Sequence, residues 1–225
     1  MITANIIHRV FRIKIGDAEG TAFTIDFNGR EYLVTAKHVA DGIDAEREIG
    51  IYAGAGWTDL RVQLVGHATG DVDISVLAAR EQLTPSNLPM PATSSGVTYG
   101  QDVHFLGFPY GYLGKYVLGP RGYPLPFVKR AAVSLLDDTL LLLDGHNNPG
   151  FSGGPVVFRK PNEPLFSVAA VISSYRFEDE PIYSGMDSTF LTYQYNTGII
   201  EAYSIDIALK LVASNPIGCP TRGTV

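Results

Sequence analysis

The chain consists mainly of short segments in which apolar and polar residues alternate, separated by turn residues. Such alternation places successive side chains on opposite faces and is typical of strands with one buried face. The first predicted strand begins at Val10, and Asn28-Gly29 marks a hairpin. The other strands predicted in the first half comprise residues 21–27, 31–36, 49–53, 60–66 and 71–78.

Residues 78–100 contain several prolines, serines and glycines with little periodicity, which predicts a connector between two halves. We therefore divide the chain into residues 1–90 and 91–225. The last of its segments, residues 204–213, has a serine N-cap and helical periodicity, which predicts one C-terminal helix. The second half resumes with residues 102–111. Its strands are predicted at residues 127–135, 139–143, 154–159, 167–175 and 198–203, and irregular loops at residues 112–126 and 178–188.

The composition agrees with a folded, all-β protein. Of the 225 residues, 45% are hydrophobic and only 18% are charged, so the chain can bury a sizeable core. The 24 glycines and 14 prolines, with 12 tyrosines and 11 phenylalanines, indicate many short strands joined by turns. A net charge of −6 argues against nucleic acid or an anionic membrane as the main partner.

The single cysteine, Cys219, excludes an intramolecular disulfide, so the chain does not need an oxidising compartment. Charged residues interrupt the apolar residues near the N-terminus, and no signal peptide is predicted. No window approaches the roughly 18 apolar residues of a membrane helix. We therefore expect a cytoplasmic protein. The histidines show no metal-ligand spacing, so no metal site is predicted.

The segment around Ser152 is the main candidate for chemistry. Glycines surround this serine, and apolar residues follow it, as expected of a hydroxyl held on a tight bend where no Cβ blocks a carbonyl. The same bend would turn the N–H groups of Gly150 and Ser152 towards one point, as an oxyanion hole requires. The alternative is an ordinary glycine-rich turn before a buried strand.

A nucleophilic serine also needs a base and a carboxylate. His38 comes directly after a predicted strand, in one helical turn that Gly42 closes. Asp73 and Asp71 both lie at the start of a later strand, and spacing alone does not choose between them.

Three segments together resemble the trypsin-like serine proteases. Residues 33–39, Leu-Val-Thr-Ala-Lys-His-Val, resemble the family's Thr-Ala-x-His segment, and residues 73–77, Asp-Ile-Ser-Val-Leu, resemble its Asp-Ile-Ala-Val-Leu strand, which favours Asp73 over Asp71. Residues 148–155, Asn-Pro-Gly-Phe-Ser-Gly-Gly-Pro, resemble the serine elbow. The order His, Asp, Ser is that of the chymotrypsin-type fold.

Within this family the sequence is similar to the disulfide-free bacterial branch, the high-temperature-requirement proteases. Asn148-Pro149-Gly150 and the segment 107–111, Gly-Phe-Pro-Tyr-Gly, carry that similarity. Those enzymes have a peptide-binding PDZ domain after the protease, and we do not expect one within these 225 residues.

The resemblance implies two six-stranded antiparallel β-barrels, residues 1–90 and 91–225, with the terminal helix against the second and the active site between them. It implies His38 as base, Asp73 as its orienting carboxylate and Ser152 as nucleophile of an endopeptidase that forms an acyl-enzyme. No cofactor is implied, and the substrate is a protein or peptide. The edge segment that would pair with it is Ile172, Ser173, Ser174 and Tyr175.

The resemblance also places His146, six residues before Ser152, at the base of the primary specificity pocket. No aspartate stands there, so cleavage after Lys or Arg is not expected. An imidazole at the base would favour an acidic or polar side chain. The alternative, which we prefer, is that His146 points away and the pocket accepts a small or medium apolar residue.

Phe151 stands where secreted relatives have an aspartate that pairs with a newly cut N-terminus. An apolar side chain cannot accept that ammonium, so we expect the chain from Met1 to react with an active-site probe without clipping. The oxyanion loop is then set by packing of Phe151 or ordered by a partner, a peptide or an oligomer contact. We favour the partner, with residues 112–126 and 178–188 as candidate sensors. A catalytically silent peptide-binding module on the same fold is the alternative function.

Overall fold

The computed structural model describes residues 2–85, 88, 90–114, 117–119 and 121–221. Met1, residues 86, 87 and 89 of the predicted connector, residues 115, 116 and 120 of the predicted loop, and residues 222–225 lie outside the described residues. The helices are α1 (Ala4–Ile7) and α2 (Ile205–Ser214). The strands are β1 (Val10–Ile15), β2 (Ala18–Phe27), β3 (Arg30–Thr35), β4 (Glu46–Ala53), β5 (Gly56–His67), β6 (Ser75–Ala79), β7 (Asp102–Gly107), β8 (Val117–Leu118), β9 (Tyr123–Pro124), β10 (Phe127–Leu136), β11 (Leu140–Asp144), β12 (Pro155–Phe158), β13 (Ser167–Ser184), β14 (Asp187–Ser204) and β15 (Cys219–Pro220).

The first six strands close into an antiparallel barrel in the order β3-β2-β1-β4-β5-β6, because β6 pairs back onto β3. The hairpin predicted at Asn28-Gly29 is confirmed, with φ of 48° and 72° at its two turn residues. Positive φ at both positions matches the twist of the flanking strands. Alternate side chains such as Ile49 and Ile51 fill the barrel interior.

The second half forms another closed barrel, in the order β10-β11-β14-β13-β12-β7. Its core contains buried aromatic and aliphatic residues from every strand, including Phe105, Phe158 and Ile200. The expected pair of six-stranded barrels is therefore confirmed. One substantial helix also follows as expected, and the Ser204 hydroxyl caps it by accepting from the N–H of Asp206 at 3.3 Å.

The terminal segment contacts both barrels, whereas we expected the helix against the second alone. Ile205, Ala208 and Val212 share one buried cluster with Val65 of the first barrel and Val171 of the second. After the helix, β15 pairs with β3. The sequence could not indicate this because an amphipathic helix shows which face is buried but not what covers it.

The prediction of an irregular loop at residues 178–188 is wrong. β13 and β14 stay paired beyond the barrel, from Phe177 opposite Asn196 to Ser184 opposite Asp187, and form a long hairpin. Smaller differences are the helix α1 and the pair β8–β9 inside the predicted loop 112–126. Within the ranges that the structure describes, no helix is long and apolar enough to cross a membrane.

Candidate active site

His38 is presented by a single helical turn at the end of β3. The N–H of Ala40 donates to Ala36 O, and Gly42 ends the turn with φ of 77°. This places the imidazole at the rim of the first barrel, where 53% of its side chain is exposed. The turn predicted from the sequence therefore positions His38 at the surface between the barrels.

Asp73 is the carboxylate that meets His38. Its Oδ2 lies 2.7 Å from His38 Nδ1, and its Oδ1 accepts from the backbone N–H of His38 at 2.8 Å. The Ser173 hydroxyl donates to Oδ2 at 2.6 Å. Burial raises the pKa of this carboxyl, but the hydrogen bonds from His38 and Ser173 outweigh burial and hold its pKa below the usual value.

These contacts determine which imidazole nitrogen is free to react. An ionised carboxylate only accepts, so Nδ1 of His38 carries the proton that faces Asp73. In the neutral ring, Nε2 then has the lone pair that a general base needs. Asp71, the competing candidate, has no recorded contact with His38 in the described chain, and its backbone carbonyl accepts from the Tyr203 hydroxyl at 2.9 Å.

Ser152 lies on a bend that only glycine neighbours allow. Gly150 has φ of 102° and Gly153 has φ of 83°, both in the region that favours glycine. A Cβ at Gly150 would collide with the carbonyl oxygen of Phe108. Between these glycines, Phe151 is fully buried, which anchors the bend in the core of the second barrel.

Backbone contacts turn the bend outward. Pro149 O accepts from the N–H of Tyr110 at 2.8 Å, while Gly150 O and Ser152 O accept from the hydroxyl and the N–H of Thr21 at 2.7 and 2.8 Å. No acceptor among the described residues is recorded for the N–H groups of Gly150 and Ser152. These two donors are therefore available to a bound oxygen, as an oxyanion hole requires.

The Ser152 hydroxyl donates to the carbonyl of Ser173 at 3.1 Å, and the described chain shows no hydrogen bond between Ser152 and His38. Ser173 thus bridges the two sides of the site, because its carbonyl accepts from Ser152 while its hydroxyl donates to Asp73. We predicted Ser173 only as a residue that binds substrate. Its contact with Asp73 gave no signal in the sequence, because the two residues are 100 positions apart.

The four residues of the predicted substrate edge differ in burial and in the hydrogen bonds that their backbones already make. Ile172 is fully buried, and its N–H and carbonyl already bond to Gly154 O and the N–H of Gly153. The open part of the edge therefore begins at Ser173. Ser174 O accepts from the Asn147 side chain at 3.4 Å, and Tyr175 is half-buried beside it.

His146 is exposed, and its Nε2 lies 3.3 Å from the Asn148 side-chain amide. Lys129 lies behind this loop, and no pattern in the sequence indicates its role there. Its ammonium donates to His146 O at 2.7 Å and to Asn148 Oδ1, and it lies 5.4 Å from the Phe151 ring centre. Burial lowers the pKa of Lys129. A cation therefore supports the loop that the sequence assigned to the specificity pocket.

Two open depressions border these residues. One, of about 350 Å³, is lined by Lys37, His38, Asp41, Asp71, Val72 and Asp73. The other, of about 200 Å³, is lined by Gly150, Pro149, Arg12 and neighbouring residues. A larger cavity of about 510 Å³, lined by Thr84, Tyr123 and others, includes none of the residues of this site. The depressions next to His38 and Gly150 are therefore the cavities that border the residues of this site.

Comparison with known proteins bears on the family and the fold of the chain. The family model described as a trypsin-like peptidase domain matches residues 20–161, more than half of the chain. A search of curated proteins by sequence found no match. The three segments that resemble trypsin-like proteases, residues 33–39, 73–77 and 148–155, all lie within the matched residues.

Solved structures share the fold at low identity. The active form of the Rv3671c protease from M. tuberculosis has a TM-score of 0.63 and 18% identity, over 98% of this chain and 86% of that one. The serine endoprotease from Yersinia pestis has a TM-score of 0.58 and 19% identity, over 95% and 67%. The HtrA-type protease AlgW with a tripeptide has a TM-score of 0.57 and 22% identity, over 94% and 62%. With the family match, the resemblance stated from the sequence is confirmed: the chain belongs to the trypsin-like peptidase domain family and is a serine-type peptidase.

Proposed function

We propose that the chain is an endopeptidase in which Ser152, His38 and Asp73 act as one catalytic unit. The observation that carries the proposal is the position of Asp73, whose two oxygens accept from the His38 ring, the His38 backbone and the Ser173 hydroxyl. This set of contacts fixes the ring in the orientation and tautomer that a general base requires.

The reaction follows from these positions. Ser152 Oγ attacks the scissile carbonyl carbon while its proton moves to His38 Nε2, and the imidazolium is stabilised by Asp73. The C–N bond then breaks, the proton passes from His38 to the leaving amine, and an acyl-enzyme remains. Water, deprotonated by His38, attacks the ester and releases the acid, and the serine recovers its proton.

The N–H groups of Gly150 and Ser152 would stabilise the negative oxygen of each tetrahedral intermediate, an effect worth about 3–4 kcal/mol per donor. One rearrangement is required first, because the Ser152 hydroxyl donates to Ser173 O in this structure. Rotation about the Cα–Cβ bond redirects it to His38. Catalytic hydrogen bonds commonly form only when substrate is bound.

Packing supports an oxyanion loop that is set without an N-terminal ion pair. Phe151 is fully buried and meets the Phe105 ring edge to face, with ring centres 4.9 Å apart. The hydrogen bond from Tyr110 to Pro149 O keeps that carbonyl out of the hole. This favours the version of our expectation in which Phe151 sets the loop over the version in which a partner orders it.

Labelling with a fluorophosphonate tests the proposal. The wild-type chain is expected to be labelled at Ser152, while Ser152→Ala abolishes labelling and His38→Ala reduces it by several orders of magnitude. Ser95→Ala, an exposed serine away from the site, is the matched control and should label like the wild type. Labelling that persists in Ser152→Ala contradicts the assignment of the nucleophile.

The second candidate function is a silent peptide-binding module, and the hydrogen bond from Ser152 to Ser173 O favours it, since that hydroxyl is turned from the base. Absence of labelling under all conditions, together with binding of peptides along β13, would support this module.

For the enzyme, Lys129 behind the 146–148 loop argues against Lys or Arg as the residue before the cleaved bond, and we propose a small or medium apolar residue there.

A further inference from the structure

The long hairpin of β13 and β14 extends the edge on which we place the substrate. We call residues 176–195 the hairpin arm. Almost all of its side chains are exposed on both faces, and an isolated two-stranded hairpin of this kind is only marginally stable in water. Its exposed large apolar residues are Phe177, Ile182, Tyr183, Met186, Phe190, Leu191 and Tyr193. Such a concentration of exposed apolar surface marks an interaction site.

The arm is also strongly acidic. Glu178, Asp179, Glu180 and Asp187 lie on it, and none forms an ion pair with a cation of the described chain. The hydrogen bond to the Glu180 carboxylate raises the pKa of the Tyr193 phenol, which reflects the same negative surroundings. A second copy of the arm would bring like charges together, so charge complementarity favours a cationic occupant.

The backbone of β13 offers this occupant a place to pair. On the edge of β13 opposite β14, the pairing with β12 extends only as far as Val171. The N–H and carbonyl of Ile172 are bonded to Gly154 and Gly153 of the serine bend. From Ser173 onward no described strand pairs with this edge of β13. We take the open edge to end before Pro181, because proline has no N–H to donate. The open edge from Ser173 to Glu180 is roughly 26 Å long at about 3.3 Å per residue.

The open edge begins at the nucleophile, because Ser173 O accepts from Ser152 Oγ. The neighbours of β13 pair with it in antiparallel fashion. A substrate strand added in the same sense, with its scissile carbonyl at Ser152, would run so that residues N-terminal to the cleaved bond lie beside the arm. The acidic residues 178–180 would then face the substrate segment several residues upstream of the cleavage site.

We propose that the hairpin arm binds an extended substrate segment upstream of the cleaved bond, one that combines basic with apolar residues and pairs as an added strand along Ser173–Glu180. The proposal rests on the proposed endopeptidase function for the position of the cleaved bond. Basic side chains would form ion pairs with the carboxylates of the arm, and apolar side chains would cover residues such as Phe177. The arm thereby selects substrates by a feature away from the bond that is cut.

Binding can be measured without cleavage in the Ser152→Ala chain. The probe is a fluorescent peptide of about eight residues that alternates Lys and Leu, to match the length of the open edge, and a Glu–Leu peptide is its counterpart. The test variant combines Glu178→Gln, Asp179→Asn and Glu180→Gln. Its matched control combines Asp44→Asn, Asp59→Asn and Glu163→Gln, which remove the same charge from exposed positions elsewhere.

We expect the Lys–Leu peptide to bind at least about tenfold more tightly than the Glu–Leu peptide, and the arm variant to lose about tenfold in affinity, because three exposed charge pairs are removed together. The control variant should keep its affinity, and added salt should weaken binding. Equal affinities in the two variants would overturn the proposal, and so would arm-dependent self-association in sedimentation without peptide binding.

Cleavage then tests the direction of the added strand. Two substrates share one cleavable core and carry the Lys–Leu segment either upstream or downstream of the bond. We expect kcat/KM of the active chain to rise about tenfold for the upstream substrate over the core alone, and this ratio to fall towards one in the arm variant. A gain with the downstream segment only contradicts the proposal. Peptide binding by the arm in a chain that neither labels nor cleaves would instead remove the endopeptidase function while keeping the arm as a binding surface.

Discussion

The two halves of β13 are one continuous strand in opposite surroundings. From Ser167 to Ile172 it is buried between two other strands of the second barrel, and its residues contact the serine bend. From residue 176 onward it has one partner, β14, and both faces meet solvent. Burial and hydrogen bonds hold the first half in fixed positions, as catalysis requires. In the second half the exposed side chains are accessible to a binding partner.

Ser173, directly after the buried half, donates to Asp73, and we expect the change of this carboxylate to have the largest effect. Asp73→Asn is expected to lower kcat/KM about 10⁴-fold, because an amide donates to the ring and favours the wrong tautomer. Asp71→Asn, at the competing carboxylate, should leave most of the activity. Steady-state cleavage of one peptide by both variants measures the difference. Similar losses in the two variants would show that the carboxylate assignment is wrong.

Thr21 connects the serine bend to the first barrel, and its removal is expected to have the next largest effect. Thr21→Val leaves the buried acceptor Gly150 O and the donor of Phe108 without their hydroxyl partner. We expect the free energy of unfolding to fall by about 2–4 kcal/mol, since each unsatisfied buried group costs about 1–3 kcal/mol. The rate of fluorophosphonate labelling should fall as well. Urea unfolding and labelling kinetics measure the two effects.

Thr24→Val is the matched control, because Thr24 lies on the same strand and its buried hydroxyl is paired with Thr84 at 2.5 Å, away from the bend. Thr24→Val should lower the free energy of unfolding but keep the wild-type rate of labelling, measured where the variant is fully folded. If Thr21→Val labels as fast as this control, the hydroxyl of Thr21 stabilises the fold without positioning the oxyanion loop.

Ser173→Ala tests the hydrogen bond from the buried strand to Asp73. This bond favours the ionised carboxylate and contributes to holding the pKa of Asp73 below its usual value. Its contribution to stability, about 1.5–3 kcal/mol, is therefore present above the unfolded-state pKa and is lost as pH falls through the folded-state pKa. Unfolding measured from neutral to acidic pH should show wild type and variant converging at low pH. A difference that stays constant over this range would show that Ser173 acts through packing instead.

The contrast within β13 also explains which features could be predicted from the sequence. Alternation revealed strands such as β5 and β10, in which buried and exposed residues alternate, whereas β6 and β12 are buried at every position. The segments around His38, Asp73 and Ser152 resemble a family in fixed order. Residues 178–188 gave no such alternation, because both faces of the arm are exposed, and Pro181 and Gly185 suggested a loop. Pairing with β14, not burial, makes this segment a strand.

Contacts between distant segments were equally beyond the sequence. Thr21 and Gly150 are 129 positions apart, and Lys129 reaches the loop at His146 from another strand. Each looks like an ordinary strand residue until the barrels bring its partner close. Local patterns therefore predicted the elements and the reacting groups, while the residues that hold those groups in place depend on the tertiary fold.

Phe190 provides the smallest expected effect and the sharpest contrast with the buried half. It is 96% exposed and has φ of 61°, a conformation that asparagine adopts more readily than phenylalanine. Phe190→Asn should therefore leave the free energy of unfolding unchanged or raise it by less than about 1 kcal/mol, whereas Phe158→Ala in the barrel core should lower it by about 3–5 kcal/mol. Urea titration of both variants measures this. A loss above about 1 kcal/mol in Phe190→Asn would mean that the phenyl ring stabilises the arm itself, and the arm would then be part of the packed fold instead of a surface left open for a partner.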